Sequence, residues 1–146
     1  MLADKGQRSM NFLVNIDVAD LPTALDFYSR AFDLAVGRRF GEEVVELLGG
    51  SAPIYLLAKR AGSRPTSHSA ATRSYDRHWT PVHLDFVVPE IEPAVRKAVS
   101  AGAVLEGEIQ VNTWGKLALM ADPFGNGFCL LQFTGRGYDE IATGRG

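Results

Sequence analysis

The sequence predicts an α+β fold: two tandem βαβββ modules whose strands form a cupped mixed sheet around a cleft, with the helices on the outer face. Three observations carry that expectation. A period-two apolar stretch at 11–18 leads into a capped amphipathic helix. The same pattern returns seventy positions later. The run Ala121 to Phe133, A-D-P-F-G-N-G-F-C-L-L-Q-F, reads as a closing β-hairpin.

Asn11 to Val18 places Phe12, Val14, Ile16 and Val18 on one strand face and Leu13, Asn15 and Asp17 on the other. Asp20 stands at an N-cap position, Pro22 lies in the first turn, and Leu21, Ala24, Leu25, Tyr28 and Phe32 recur at helical spacing to about Phe32. Gly37 reads as a break, with one or two strands over Arg38 to Leu48, a Gly49-Gly50-Ser51 turn and a short strand at Ile54 to Ala58. In the second half, strands are expected at Val82–Val88, Val104–Gln110, Lys116–Met120 and Phe128–Phe133, with a helix over Glu90–Ser100 and Gly102 just past its end.

A shift of seventy superposes Leu13 on His83, Asn15 on Asp85, Val18 on Val88 and Asp20 on Glu90, while near the module ends a shift of seventy-four superposes Tyr55 on Cys129. The expected organisation is a flexible leader at 1–10 and one domain at 11–133, followed by a tail at 134–146. Within the domain, module one spans about 11–59 and module two about 81–133. The Ser-, Arg- and Thr-rich stretch between them, at about 60–80, is expected as a linker or mobile loop, with a lid or interface arm as the other reading.

With 146 residues, 46% hydrophobic and 22% charged, the chain can bury a core of its own. Its net charge of −2, with both signs interspersed, offers no basic face, so nucleic acid is not an expected partner. No apolar run is long enough for a membrane span or a signal peptide, and the single cysteine forms no disulfide within the chain; the expected compartment is cytoplasmic. Walker, G-x-G-x-x-G, H-E-x-x-H, G-x-S-x-G and paired-cysteine motifs are all missing from the sequence, which removes support for the chemistries they carry.

Asp20-Leu21, Ala24-Leu25, Phe27-Tyr28, Trp114-Gly115 and Asp122-Pro123-Phe124-Gly125-Asn126, in that order, resemble the vicinal oxygen chelate superfamily, which includes glyoxalase I, bleomycin resistance proteins and extradiol dioxygenases. The resemblance spans about residues 11 to 133. It implies a ligand site inside the cup and a homodimer. It also implies metal-ligand positions on the first and last strand of each module, which here are Leu13, Tyr55, His83 and Cys129. Leu13 has no donor atom and a neutral tyrosine is a weak one, so neither a metal nor another cofactor is expected.

The candidate ligand-binding residues are His83, Asp85, Tyr55, Cys129, Trp114 and Leu13. His83 could exchange a proton or a hydrogen bond with a ligand, or be satisfied by Asp85 two residues on. Cys129 is a nucleophile only if a neighbouring base activates it, and otherwise a small buried hydrophobe. Tyr55 suits a planar ligand or the core; Trp114 is a cleft wall or core residue. Glu42, Glu43 and Glu46 read as solvated carboxylates. The functional expectation is binding of a small apolar or aromatic molecule between the modules, by a glyoxalase/bleomycin-resistance-like protein without the family metal. Two others stand beside it: a metal-dependent lyase, isomerase or dioxygenase with an atypical metal site, and a pure interaction module. Catalytic residues are not assigned.

Overall fold

The structure is a computed structural model that describes residues 10–144 and 146. Most of the expected 1–10 leader therefore lies outside the described residues. Two sheets are present. In the first, β1 (Val14–Val18), β4 (Ile54–Ala58), β3 (Val44–Leu48) and β2 (Ala35–Phe40) lie side by side in that order. The second runs β5 (Leu84–Val87), β9 (Gly127–Phe133), β8 (Gly115–Ala121), β6 (Val104–Leu105), with β7 (Gln110–Asn112) also on β8. In each sheet the first strand pairs parallel with the last, Val14 opposite Ile54 and Leu84 opposite Phe128, and the other pairings are antiparallel. The sheets are mixed and the modules repeat.

Helix α1 (Leu21–Phe32) begins where Asp20 accepts the Thr23 N–H at 2.9 Å, and stops where Asp33 enters the left-handed region. Helix α2 (Ile91–Ala101) begins differently. Glu90 makes no side-chain cap, and Gln132 from β9 accepts the Ile91 N–H instead, at 2.8 Å. Gly102 ends the helix at φ 127°, where a Cβ would be strained.

The alternation in each strand sends one set of side chains to the helices. Val18, Val45, Leu47, Ile54 and Leu56 from sheet one and Ala118, Met120, Phe128 and Leu130 from sheet two join Phe27, Tyr28, Ile91 and Val95 in a single core. Phe32 of module one stacks on Phe86 of module two at 3.9 Å between ring centroids. Among the described residues neither α-helix packs on the other face of either sheet, although at the end of β9 the Tyr138 ring of the tail lies 4.8 Å from Phe133 there.

Three expectations need correction. Gly37 lies within β2, at a bulge where the pairing jumps from Val36–Leu47 to Arg39–Val45. Its backbone passes so close to β3 that a Cβ there would fall 2.5 Å from Glu46 Oε1. The expected 104–110 strand is two short ones, β6 and β7, because Gly107 turns the chain at φ 88°. Glu46 is buried, with an ion-pair partner, whereas the sequence reading made it a solvated carboxylate.

The 60–80 stretch has no helix or strand but is tied down at several points. Arg73 pairs with Asp17 of β1 at 2.7 Å, Arg77 pairs with Glu106 at 2.6 Å, and the Tyr75 hydroxyl donates to the Lys59 carbonyl. In the tail, Gly137–Glu140 forms a 3₁₀ turn.

Candidate functional site

The D-P-F-G-N turn positions the site, because it ends β8 and starts β9. Asp122 is buried; its Oδ1 accepts the Phe124 and Asn126 N–H groups at 2.8 and 2.9 Å, and its Oδ2 accepts the Asn126 amide and the Tyr28 hydroxyl. Burial and the Asp122 carboxylate both push the Tyr28 phenol well above its usual range, so the phenol keeps the proton it donates at physiological pH. His78 of the connecting stretch sits at 3.0 Å from Asn126 Oδ1, and its N–H donates to the Gly125 carbonyl. A Cβ on Gly125 would lie 2.4 Å from the Asp76 carbonyl oxygen, so only glycine lets the connection pass.

From that turn β9 runs with Phe128 and Leu130 in the core, which sends Cys129, Leu131 and Phe133 to the helix-free face. Asp85 lies opposite Cys129 and Leu119 lies opposite it on the other side. His83 Nε2 stands 3.3 Å from Asp85 Oδ1, and the donor atoms of His83, Asp85 and Cys129 all lie within 4.8 Å of one another. The structure therefore brings three of the six candidate residues together. Burial, with the adjoining Asp85 charge and hydrogen bond, pushes the Cys129 thiol up to about 11. That is the opposite of an activated nucleophile.

Tyr55 belongs to a second cluster, on the helix-free face of sheet one. Its hydroxyl donates to Glu46 Oε2 at 2.6 Å and accepts from Arg38 Nη2 at 2.9 Å. Arg38 grips the same carboxylate with Nε at 3.0 Å, Nη2 at 2.8 Å and its backbone N–H at 2.9 Å. These bonds, from Arg38 first and then Tyr55, pull the Glu46 carboxyl down to about 2. The sequence reading missed Arg38 and Glu46 because the bulge that aims them at each other leaves no mark in an alternation pattern.

Leu13 precedes β1 and is half exposed. Trp114 sits in the β7–β8 turn with its ring 6.4 Å from Phe133 and 5.1 Å from Tyr138 of the tail. Cavities of about 800 and 340 Å³ flank the seam between β1 and β5; Val14, Leu84 and Phe86 line both, and His83 lines the smaller one with Asn15 and Asp17.

The four-position metal cage implied by the resemblance does not fit these residues. Leu13 offers no lone pair, and the Tyr55 hydroxyl is committed to Glu46 and Arg38, so two of the four positions supply no free donor.

A family model described as a glyoxalase-like domain matches residues 13–131. No curated protein matches the chain. Among solved structures, a glyoxalase/bleomycin resistance protein/dioxygenase family enzyme from Burkholderia phytofirmans PsJN is 21% identical with a TM-score of 0.65, over 84% of this chain and 97% of that one. The fosfomycin resistance protein FosX from Listeria monocytogenes is 16% identical with a TM-score of 0.65, over 86% and 94%. TioX from Micromonospora sp. ML1 is 18% identical with a TM-score of 0.64, over 86% and 100%. At these identities the likeness is one of fold.

Proposed function

The chain belongs to the glyoxalase-like family of the vicinal oxygen chelate superfamily, and from that premise we propose that it binds a small apolar or aromatic molecule between its modules without the metal its relatives' scaffold can hold. One observation carries the reading: of the four positions where the resemblance places ligands, Leu13 has no donor atom and the Tyr55 hydroxyl is spent on Glu46 and Arg38, so half of the cage is missing. The face around His83 leaves Val87 62% and Leu119 40% exposed, while Cys129 and Leu131 on the same face are buried. A pocket of this make-up holds a ligand by excluding water from it, and a few polar groups, here His83 and Asp85, set its orientation. Leu13, Tyr55, Trp114 and Cys129 shape the walls.

The same open apolar face supports a homodimer in which a second copy covers part of it. No described helix is long and apolar enough to cross a membrane. The reading includes a cytoplasmic protein with neither nucleic acid nor membrane as partner, which the mixed charge of the chain supports.

Titration with the neutral fluorophore N-phenyl-1-naphthylamine, in chelator and in added zinc, manganese or nickel, tests the proposal. Saturable binding that ignores the chelator is expected. Binding that vanishes with the chelator and returns with one equivalent of metal overturns it in favour of a second reading, supported by the convergence of His83, Asp85 and Cys129. In that reading the chain is a metal-dependent lyase, isomerase or dioxygenase with an atypical three-donor site.

A further inference from the structure

We propose that Arg38, set over Phe40 and beside Tyr55 on sheet one, is an anion anchor, and that the ligand is a flat aromatic molecule bearing a carboxylate or a similar acid group. The inference rests on the cleft-binding reading above and adds the polarity of the ligand to it.

The geometry runs from the bulge outward. Gly37 and Arg38 together face Glu46, so the Arg38 backbone N–H and its side chain both turn onto one carboxylate. Glu46 lies beneath, with its side chain 6% exposed, while that of Arg38 is 68% exposed. A ligand arriving from the open side of the sheet meets the guanidinium before the carboxylate. The outer nitrogen, Nη1, makes no hydrogen bond among the described residues; Nε and Nη2 make all those that fix the group. Tyr55 has no donor to spare, since its proton goes to Glu46.

What the cluster presents outward is therefore a charged donor in a fixed orientation, whose Nη1 can give an acid group a charge-assisted hydrogen bond while Nε and Nη2 stay on Glu46. The flat part of the ligand has its own support. The Phe40 ring lies 5.9 Å below the guanidinium carbon, and the Phe40 and Tyr55 rings are within 30° of parallel at 6.3 Å. An aromatic ring can lie along them while its acid group meets Nη1. The buried Glu46 is what makes the anchor rigid: a lone arginine on an open sheet would have to be ordered by the ligand itself.

Calorimetric titration of the full chain with 2-naphthoate and with 2-naphthylmethanol, which share a ring system but not a charge, tests the anchor. The wild-type chain is expected to prefer the acid by roughly tenfold or more. In Arg38→Met/Glu46→Met, which removes both charges and strands neither, that preference disappears while the alcohol binds as before. Arg38→Lys keeps the ion pair but loses the planar fork, and its preference should fall to a few-fold; it carries the test if the double variant does not fold. A preference as large as the wild type's in whichever variant folds, or equal binding of both probes by the wild type, overturns the anchor and leaves the cleft reading standing. Failure of both probes to bind overturns the cleft reading and the anchor with it.

Discussion

Protonation at two residues makes the helix-free faces what they are, and each leaves a signature in the stability of the fold. Cys129 keeps its proton to about pH 11 when folded, against about 9 for a free thiol. Between those values the unfolded chain releases a proton that the folded chain retains, so stability must fall as pH rises through that window. Denaturant midpoints measured from pH 8 to 10 should decline, and Cys129→Ala should flatten the decline. Asp85→Asn removes the neighbouring charge, so the thiol should react with iodoacetamide at lower pH than in the wild type. Glu46 has the reverse sign. Its folded value of about 2 lies below the ordinary 4.5, so the stability it contributes is present above pH 4.5 and is lost as pH falls toward 2. Acid titration of Glu46→Gln against the wild type should show a shallower loss over that range.

The β2–β3 ladder is the element that turns a common pattern into this particular surface. Replacing Gly37 with alanine puts a methyl group 2.5 Å from Glu46 Oε1 and 2.9 Å from Leu48 Cδ1. Something must move, and overpacking of this kind costs about 1–3 kcal/mol. The urea midpoint should drop accordingly, and the cost should shrink when Glu46 is shortened to alanine in the same chain, a coupling that separates crowding from helix or turn propensity. The same ladder shows where sequence reading ends. Period-two alternation put His83 and Asp85 on one face of their strand, whereas the link from His83 to Cys129 came from the superfamily resemblance and not from alternation. The capping of α1 by Asp20 and the turn at Asp122 were legible too, because those residue types do that work locally. A bulge adds one residue and reverses the faces beyond it. Gly37 therefore read as a break, Glu46 read as solvent-exposed because it is a carboxylate in the run with Glu42 and Glu43, and the pairing of Arg38 with Glu46 and Tyr55, which depends on three strands lying in register, could not be seen from any one of them. Likewise, nothing in the composition of 60–80 marks Arg73, Tyr75 and Arg77 as anchoring residues; their partners lie elsewhere in the chain.

Across the whole molecule the two modules share one interior, so the duplication visible in the sequence is not a duplication of folding units. Phe32 of α1 stacks on Phe86 of β5 and meets Phe128 of β9 edge-on, and Tyr28 donates across the same junction to Asp122. Neither helix has a core without the other, since Phe27, Ile91, Leu56 and Leu130 belong to one cluster. The consequence is cooperativity: in a Trp79→Phe chain, whose remaining indole is Trp114 of module two, fluorescence and far-UV circular dichroism, which reports on both modules, should trace one urea transition. Tyr28→Phe tests this from a distance. Asp122 keeps its three bonds to Phe124 and Asn126 but loses a buried donor, a change worth about 1–3 kcal/mol. The residue lies in module one, yet the Trp114 transition in module two should shift to lower urea by the same amount as the dichroism. A shift in the dichroism alone, or a biphasic curve, would mean that the modules unfold independently and that the seam between β1 and β5 is a joint between two bodies, each with its own stability.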